Sequence, residues 1–274
     1  MSEVFDFVVV GGGSAGAVIA ARLSEDPLCR VALIEAGERP PDIESIPVAC
    51  GSMQLNPATD WLYTADPGKA GLGLNGRRMP VPRGKMLGGS SGINYMAYVR
   101  GHPRDFDSWA GAGATGWGYA DVLPYFRKSE GLVSSDEIPI DPEAHNPHGP
   151  MGVSVRSPVL LGPREFVEAA VAAGIPRGDY NGRDRGGATG VVSLLQTTTK
   201  HGKRTSTYRA FLEGEVERRP NLTILTGFQA TRVVVSSSLE ATGVQYRTAN
   251  GETGVVSANK EVILSAGAVG SPTC

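Results

Sequence analysis

"VFDFVVVGGGSAGAVIAARLSEDPLCRVALIEAG" (4–37) decides how this chain is read. Residues 4–12 are a continuous apolar run ending in glycine, the pattern of a strand buried on both faces. Small and apolar residues recur at helical spacing over 15–25, which predicts a helix packed closely on a sheet. Residues 30–37 form a second buried strand. Strand, glycine turn, helix and strand make a βαβ unit. Gly11-Gly12-Gly13-Ser14-Ala15-Gly16, between the first strand and the helix, fits G-x-G-x-x-G, and Glu35 ends the second strand.

Each part of this fingerprint has a physical task. Gly11 permits the tight turn. Gly13 has no Cβ, so a pyrophosphate can approach the helix N-terminus, where free N–H groups and the helix dipole favour an anion. Gly16 lets the helix pack against the strand. Glu35 can accept hydrogen bonds from ribose hydroxyls, and its charge would repel a 2′-phosphate, which disfavours NADP. The fingerprint does not separate NAD from FAD.

Composition narrows the class. The chain has 274 residues, 41% hydrophobic and 20% charged, as in a soluble globular protein. A formal net charge of −2 gives no electrostatic case for nucleic acid or an anionic membrane surface. The 37 glycines cluster in "GGGSAG", "GLGLNG" and "GGSSG", which suggests backbone brought close to a ligand. Cys29, Cys50 and Cys274 give neither a disulfide framework nor a metal site. Of His102, His145, His148 and His201, only 145 and 148 are near each other, and "HNPHGPMG" reads as an exposed loop rather than a metal site. No signal peptide and no membrane-length apolar run is visible, so the expected location is cytoplasmic.

Further helices are expected over 103–111, 119–130, 164–174 and 206–219, and 136–150 reads as a polar, proline-rich loop. Short strands after 219 have the spacing of an antiparallel β-meander inserted into an α/β framework. The last ten residues, "SAGAVGSPTC", read as a strand, a glycine turn and a Ser-Pro helix start at which the chain stops.

"RGKMLGGSSGINYMAYVRG" (83–101) bears on the choice of cofactor. Arg83 and Lys85 flank a Gly88-Gly89-Ser90-Ser91 run whose successive N–H groups could form an anion-binding nest. A second ligand surface far from the first fingerprint suits an extended dinucleotide. Gly84-Lys85, Leu87 to Ser91, Ile93-Asn94, Tyr98, Gly101 and Asp107 match the first signature of the glucose–methanol–choline (GMC) oxidoreductases. The N-terminal βαβ unit, "DFDSWAGAGATGWGYADVLPYFRKSE" and "TSTYRAFLEG…RPNLTILTG" are also typical of that family. The sequence therefore resembles a GMC oxidoreductase over essentially its whole length, and most of all the bacterial alcohol and choline dehydrogenase-like members.

The resemblance implies an α/β fold: a Rossmann-like FAD-binding domain with the inserted meander and the beginning of an α+β substrate domain. The expected division is 1–156, FAD-binding; 157–202, the first piece of the substrate domain; and 203–274, FAD-binding again. It implies that Gly11, Gly13 and Gly16 hold the pyrophosphate and Glu35 the adenosine ribose, with Ser14, Ala15 and Ala36 also binding the cofactor. Arg83, Gly84, Leu87, Gly89 and Ser90 would run along the cofactor. Asn94, Tyr95, Met96 and Ala97 would pass the flavin ring, with Tyr95 a candidate to face substrate, and the backbone of Ala230 would meet the adenine. Ile93 stands where members with covalent flavin carry histidine, so the expected FAD is non-covalent.

The implied reaction is oxidation of a primary alcohol to an aldehyde, with electrons passed on to oxygen or a quinone-like acceptor. Gly267-Ala268 and Ser271-Pro272 match the opening of the family's second signature, and the resemblance implies complete members of roughly twice this length. The chain is therefore expected to be truncated, completed by a missing C-terminal half or a second chain. The catalytic His pair is expected beyond Cys274, so no catalytic residue and no metal ligand is assigned. The competing readings are a catalytically silent flavin-binding or partner-binding fragment and, disfavoured by 83–101, an NAD-binding module.

Overall fold

The computed structural model describes residues 4–274 except 75, 77, 157, 158, 160 and 188. In chain order the elements begin with β1 (Val4–Val10), α1 (Ser14–Leu23), β2 (Val31–Glu35), α2 (Cys50–Met53), β3 (Tyr63–Ala65), β4 (Met79–Val81) and α3 (Ser90–Ile93). Next are α4 (Pro103–Gly111), α5 (Tyr119–Ser129), β5 (Glu130–Leu132), β6 (Met151–Val155) and α6 (Leu161–Ala172). Three two-residue strands follow, β7 (Gln196–Thr197), β8 (Thr199–Lys200) and β9 (Lys203–Arg204). The chain continues through α7 (Thr207–Phe211), β10 (Leu222–Thr226), β11 (Phe228–Val235), β12 (Ala241–Thr248), β13 (Thr253–Leu264) and α8 (Gly267–Thr273).

The chain divides into two compact units, Met1–Tyr95 with Ser206–Cys274, and Met96–Thr205. These breaks differ from the boundaries read from sequence. Residues 157 and 158, where the second piece was placed to begin, lie outside the described residues. A cut there would separate β6 from β7, which pair in the sheet β5-β6-β7.

The first unit is built on a six-stranded sheet of order β10-β2-β1-β13-β12-β11. The first four strands run parallel, and β13, β12 and β11 form an antiparallel meander. The twelve-residue β13 joins the two parts: Thr253–Ser257 pairs with β12, and Ser257–Leu264 runs beside β1. The meander thus extends the parallel sheet itself.

β1 and β2 lack polar alternation because both faces are covered. Val8, Val9, Val31 and Leu33 are fully buried, and Phe5, Val8, Val10, Ala32 and Ile34 pack with Val244, Val256 and Ala258. Burying each large aliphatic side chain contributes about 1.5–3 kcal/mol. α1 lies on β1 and β2 with Gly16, Ala17, Ala20 and Ala21 buried. A Cβ on Gly16 would stand 1.9 Å from the Gly11 carbonyl oxygen. Gly16→Ala is therefore expected to lower stability by at least about 1–3 kcal/mol, read from the urea midpoint, because backbone cannot retreat as a side chain can.

Two sequence expectations change in this unit. The helix expected over 206–219 is α7 alone, followed by a 3-10 turn at Val216–Arg218. Gly214, at φ +87°, interrupts it. The last helix does not open at Ser271-Pro272: α8 begins at Gly267 (φ +80°) and has Pro272 inside it.

In the second unit, Pro103 opens α4, and His102 caps it, its Nδ1 accepting from Arg104 N–H at 3.1 Å. Phe106 packs edge-on against Trp109 and Phe126, joining α4 to α5. His145 is not the exposed loop histidine expected, although His148 is exposed. His145 is buried, with Nδ1 2.7 Å from Glu130 Oε2 and Nε2 2.8 Å from Asp179 Oδ2. The Arg100 guanidinium is 3.0 Å from the same Glu130 oxygen. Those carboxylates are 15 and 34 positions away in sequence, so "HNPHGP" gave no local sign of them.

Candidate cofactor site

At the carboxyl ends of β1, β2 and β13 the first unit encloses a cavity of about 650 Å³. Ligands of open α/β sheets bind outside those strand ends. The N-terminus of α1 faces this cavity through Gly13, Ser14 and Ala15. Its N-cap, Gly13, has no side chain to cap it, and its first turn has no acid. The first-turn N–H groups have no intrahelical acceptors, so the helix end suits an anion. A Cβ on Gly13 would meet nothing closer than Gly89 Cα at 3.8 Å.

The second glycine run, expected from sequence to form a surface far from the first, instead lies directly on it. Gly88 N–H donates to the Gly12 carbonyl at 2.8 Å, and a Cβ on Gly89 (φ +50°) would be 2.7 Å from Gly13 Cα. Gly84 is equally constrained, since its Cβ would be 2.2 Å from the Gly89 carbonyl oxygen. Asp60 folds the adjoining wall by accepting from the N–H groups of Leu55, Leu62 and Arg83. Trp61 and Tyr63 then stack at 5.8 Å between centroids, with Lys85 Nζ 5.2 Å from the Trp61 ring centre.

Glu35 is buried at the rim. Its Oε2 accepts from Gly12 N–H at 2.8 Å and its Oε1 from Gly37 N–H at 2.9 Å. Burial pushes its pKa up to about 7, against the opposing pull of those N–H groups and the Lys85 charge.

Of the residues picked from sequence, Gly11, Gly13, Ser14, Ala15, Glu35, Ala36, Arg83, Gly84, Gly89, Ser90 and Ala230 line this cavity. Gly16 and Leu87 do not. Gly16 backs the Gly11 turn, and the buried Leu87 side chain supports Gly12 from behind. Asn94 and Tyr95 are exposed after α3, whose single turn ends in extended backbone at Asn94. Met96 (φ +63°) and Ala97 open the second unit, where the Met96 carbonyl accepts from Thr198 N–H at 2.8 Å. Ile93 is packed with Ala49, Met53 and Met86.

Trp61, Tyr63, Phe228 and Ser265 also line the cavity and were not picked. Trp61 and Tyr63 are two apart in "DWLYT", the spacing that puts both on one side of extended chain, and that was the available signal.

A family model described as GMC oxidoreductase matches residues 5–274. The chain belongs to the GMC oxidoreductases. An oxygen-dependent choline dehydrogenase of Pseudomonas putida is 41% identical over 284 residues, covering 99% of this chain and 47% of that protein. The Vibrio vulnificus enzyme of the same name is 38% identical over 275 residues, covering 99% and 46%. Among solved structures, pyridoxine 4-oxidase from Mesorbium loti superposes with a TM-score of 0.84 at 34% identity, covering 98% of this chain and 50% of that one. A formate oxidase gives 0.82 at 29% identity, covering 99% and 47%. The chain thus spans about half the length of the curated relatives it matches.

The GMC family is FAD-dependent, and the cavity suits a dinucleotide's phosphate-bearing part. It offers an uncapped helix N-terminus and room at Gly13, with Arg83 among the residues that line it. Among the described residues, no histidine lines it, no group of three or more His, Cys, Asp or Glu is placed to hold a metal, and no helix is long and apolar enough to cross a membrane.

Proposed function

We propose that this chain is the cofactor-holding part of an FAD-dependent oxidoreductase that oxidises a primary alcohol to an aldehyde. The observation that carries the reading is the contact of the two glycine turns over the uncapped start of α1, beside Glu35. Gly13, Ser14 and Ala15 would take the pyrophosphate, with Arg83, Gly84, Gly89 and Ser90 alongside. Glu35 and Ala36 would take the adenosine ribose, and the Ala230 backbone the adenine. Gly11, Gly16 and Leu87 would shape these turns. Asn94, Tyr95, Met96 and Ala97 would pass the flavin ring.

When bound there, FAD would supply the acceptor for a hydride from the alcohol carbon. The buried aliphatic Ile93 offers no nucleophile at its position, which supports non-covalent attachment. The names of the relatives support a small alcohol as substrate and oxygen as acceptor. A cytoplasmic location goes with this reading.

The visible spectrum of the purified chain tests it. Flavin bands that transfer to the supernatant on acid precipitation are expected. In the isolated chain they should persist on anaerobic addition of choline or another primary alcohol, because no histidine base lines the cavity among the described residues. Failure to retain or take up flavin would refute the cofactor-holding role. Bleaching by an alcohol would refute the claim that this chain lacks the base.

A further inference from the structure

The Glu35 carboxylate is engaged without any ligand. It holds the N–H of Gly12 at 2.8 Å and that of Gly37 at 2.9 Å, and the residue is 6% exposed. Both glycines are gripped again at their carbonyls. Gly12 O accepts from Gly88 N–H at 2.8 Å, and Gly37 O from Gly227 N–H at 3.0 Å. One residue on, Glu38 O accepts from Leu87 N–H at 3.0 Å. A Cβ on Gly37 would be 2.0 Å from the Lys85 carbonyl oxygen, so this turn is pressed against the second glycine motif. Four loops therefore converge through one side chain, and each contains or adjoins a stretch of the cavity wall.

We propose that Glu35 is a positioning residue that assembles the cavity before ligand binds, by fixing the Gly12 and Gly37 turns and, through Gly12, the second glycine motif. Its consequence for binding rests on the dinucleotide reading above; the assembling role stands on the ligand-free geometry. The two tasks are compatible. A carboxylate has about four lone-pair sites, and the two N–H groups leave others for ribose hydroxyls. A side chain that only bound ribose would leave Gly12, Gly37 and Gly88 unchanged in the ligand-free protein when altered. Lys85 is a charged group that acts on this carboxylate.

Amide NMR on the ligand-free protein separates the two. In the unaltered chain the Gly12 and Gly37 amide signals should titrate together with a midpoint near 7, and Gly88 should follow with smaller amplitude. In Glu35→Gln the titration should vanish, and exchange at Gly12 or Gly37, and at Gly88, should quicken at least tenfold. Glu35→Asp should restore part of the protection. FAD affinity should fall in the same order, from wild type through Asp to Gln. Weaker FAD binding by E35Q with unchanged ligand-free amides would overturn the positioning role. So would Gly12 and Gly37 amides that stay unmoved while the Glu35 carboxyl carbon signal itself titrates, a readout that does not require E35Q to fold. Amide effects as expected in a wild-type chain that binds no FAD would support the positioning role and reject the dinucleotide reading.

Discussion

His145→Ala is expected to lower the stability of the second unit by about 3–5 kcal/mol, the largest stability effect expected here. The side chain joins two carboxylates in a buried site, with Arg100 on one of them. Asn181 and Gln196 complete the cluster: Gln196 donates to Asp179 Oδ1 at 3.1 Å, and Asn181 donates to Gln196 at 2.8 Å. Burial alone would lower the His145 pKa. Asp179 and Glu130 more than offset it and raise the pKa to about 9 from its ordinary 6.5. The folded value lies above the unfolded one. The stabilisation is therefore fully present below pH 6.5 and is lost as the pH rises through about 9, some 3 kcal/mol in all.

Urea unfolding read by tryptophan emission at pH 7 and pH 10 checks this, since Trp109 and Trp117 lie in the second unit. The unaltered chain should lose stability between the two. His145→Gln, which keeps hydrogen-bonding groups but not the charge, should be weaker at pH 7 and nearly flat with pH. An H145A chain as stable as the parent would show that the cluster holds nothing together.

The second large effect concerns binding. Gly13→Ala should cost no more than about 1 kcal/mol of stability, read from the urea midpoint, for an N-cap that alanine fills less well than glycine. The added methyl itself makes only an ordinary contact, 3.8 Å from Gly89 Cα. The same methyl would stand where a pyrophosphate must approach the α1 N-terminus. FAD affinity should fall at least a hundredfold, about 2.7 kcal/mol. Gly89→Ala makes the contrast. Its methyl would be 2.7 Å from Gly13 Cα, and the backbone there is already left-handed, so folding and binding should both suffer. Thermal melts and FAD titrations of the two variants separate a methyl that blocks the ligand from one that wedges the turns apart.

The βαβ unit was legible because each of its signals is local. An apolar run, a glycine turn and small residues at helical spacing sit within 34 consecutive residues. The meander was legible for the same reason. What escaped was long-range. β13 is longer than the short strands expected after 219: it runs twelve residues because its two ends serve different partners. The burial of His145 depends on Glu130 and Asp179 arriving from other segments. In the site, glycines and Glu35 could be picked by spacing, whereas the Trp61–Tyr63 wall depends on Asp60 folding a loop. Leu87 illustrates the converse: a motif residue can be essential to a turn without lining the cavity it shapes.

The central claim, that these two glycine turns and Glu35 form a dinucleotide site, is tested most directly by titrating the purified chain with FAD while following flavin fluorescence. The account predicts saturable 1:1 binding, displaced by ADP and lost in a stably folded G13A chain. The absence of saturable binding, or binding by G13A equal to the parent's, would contradict it.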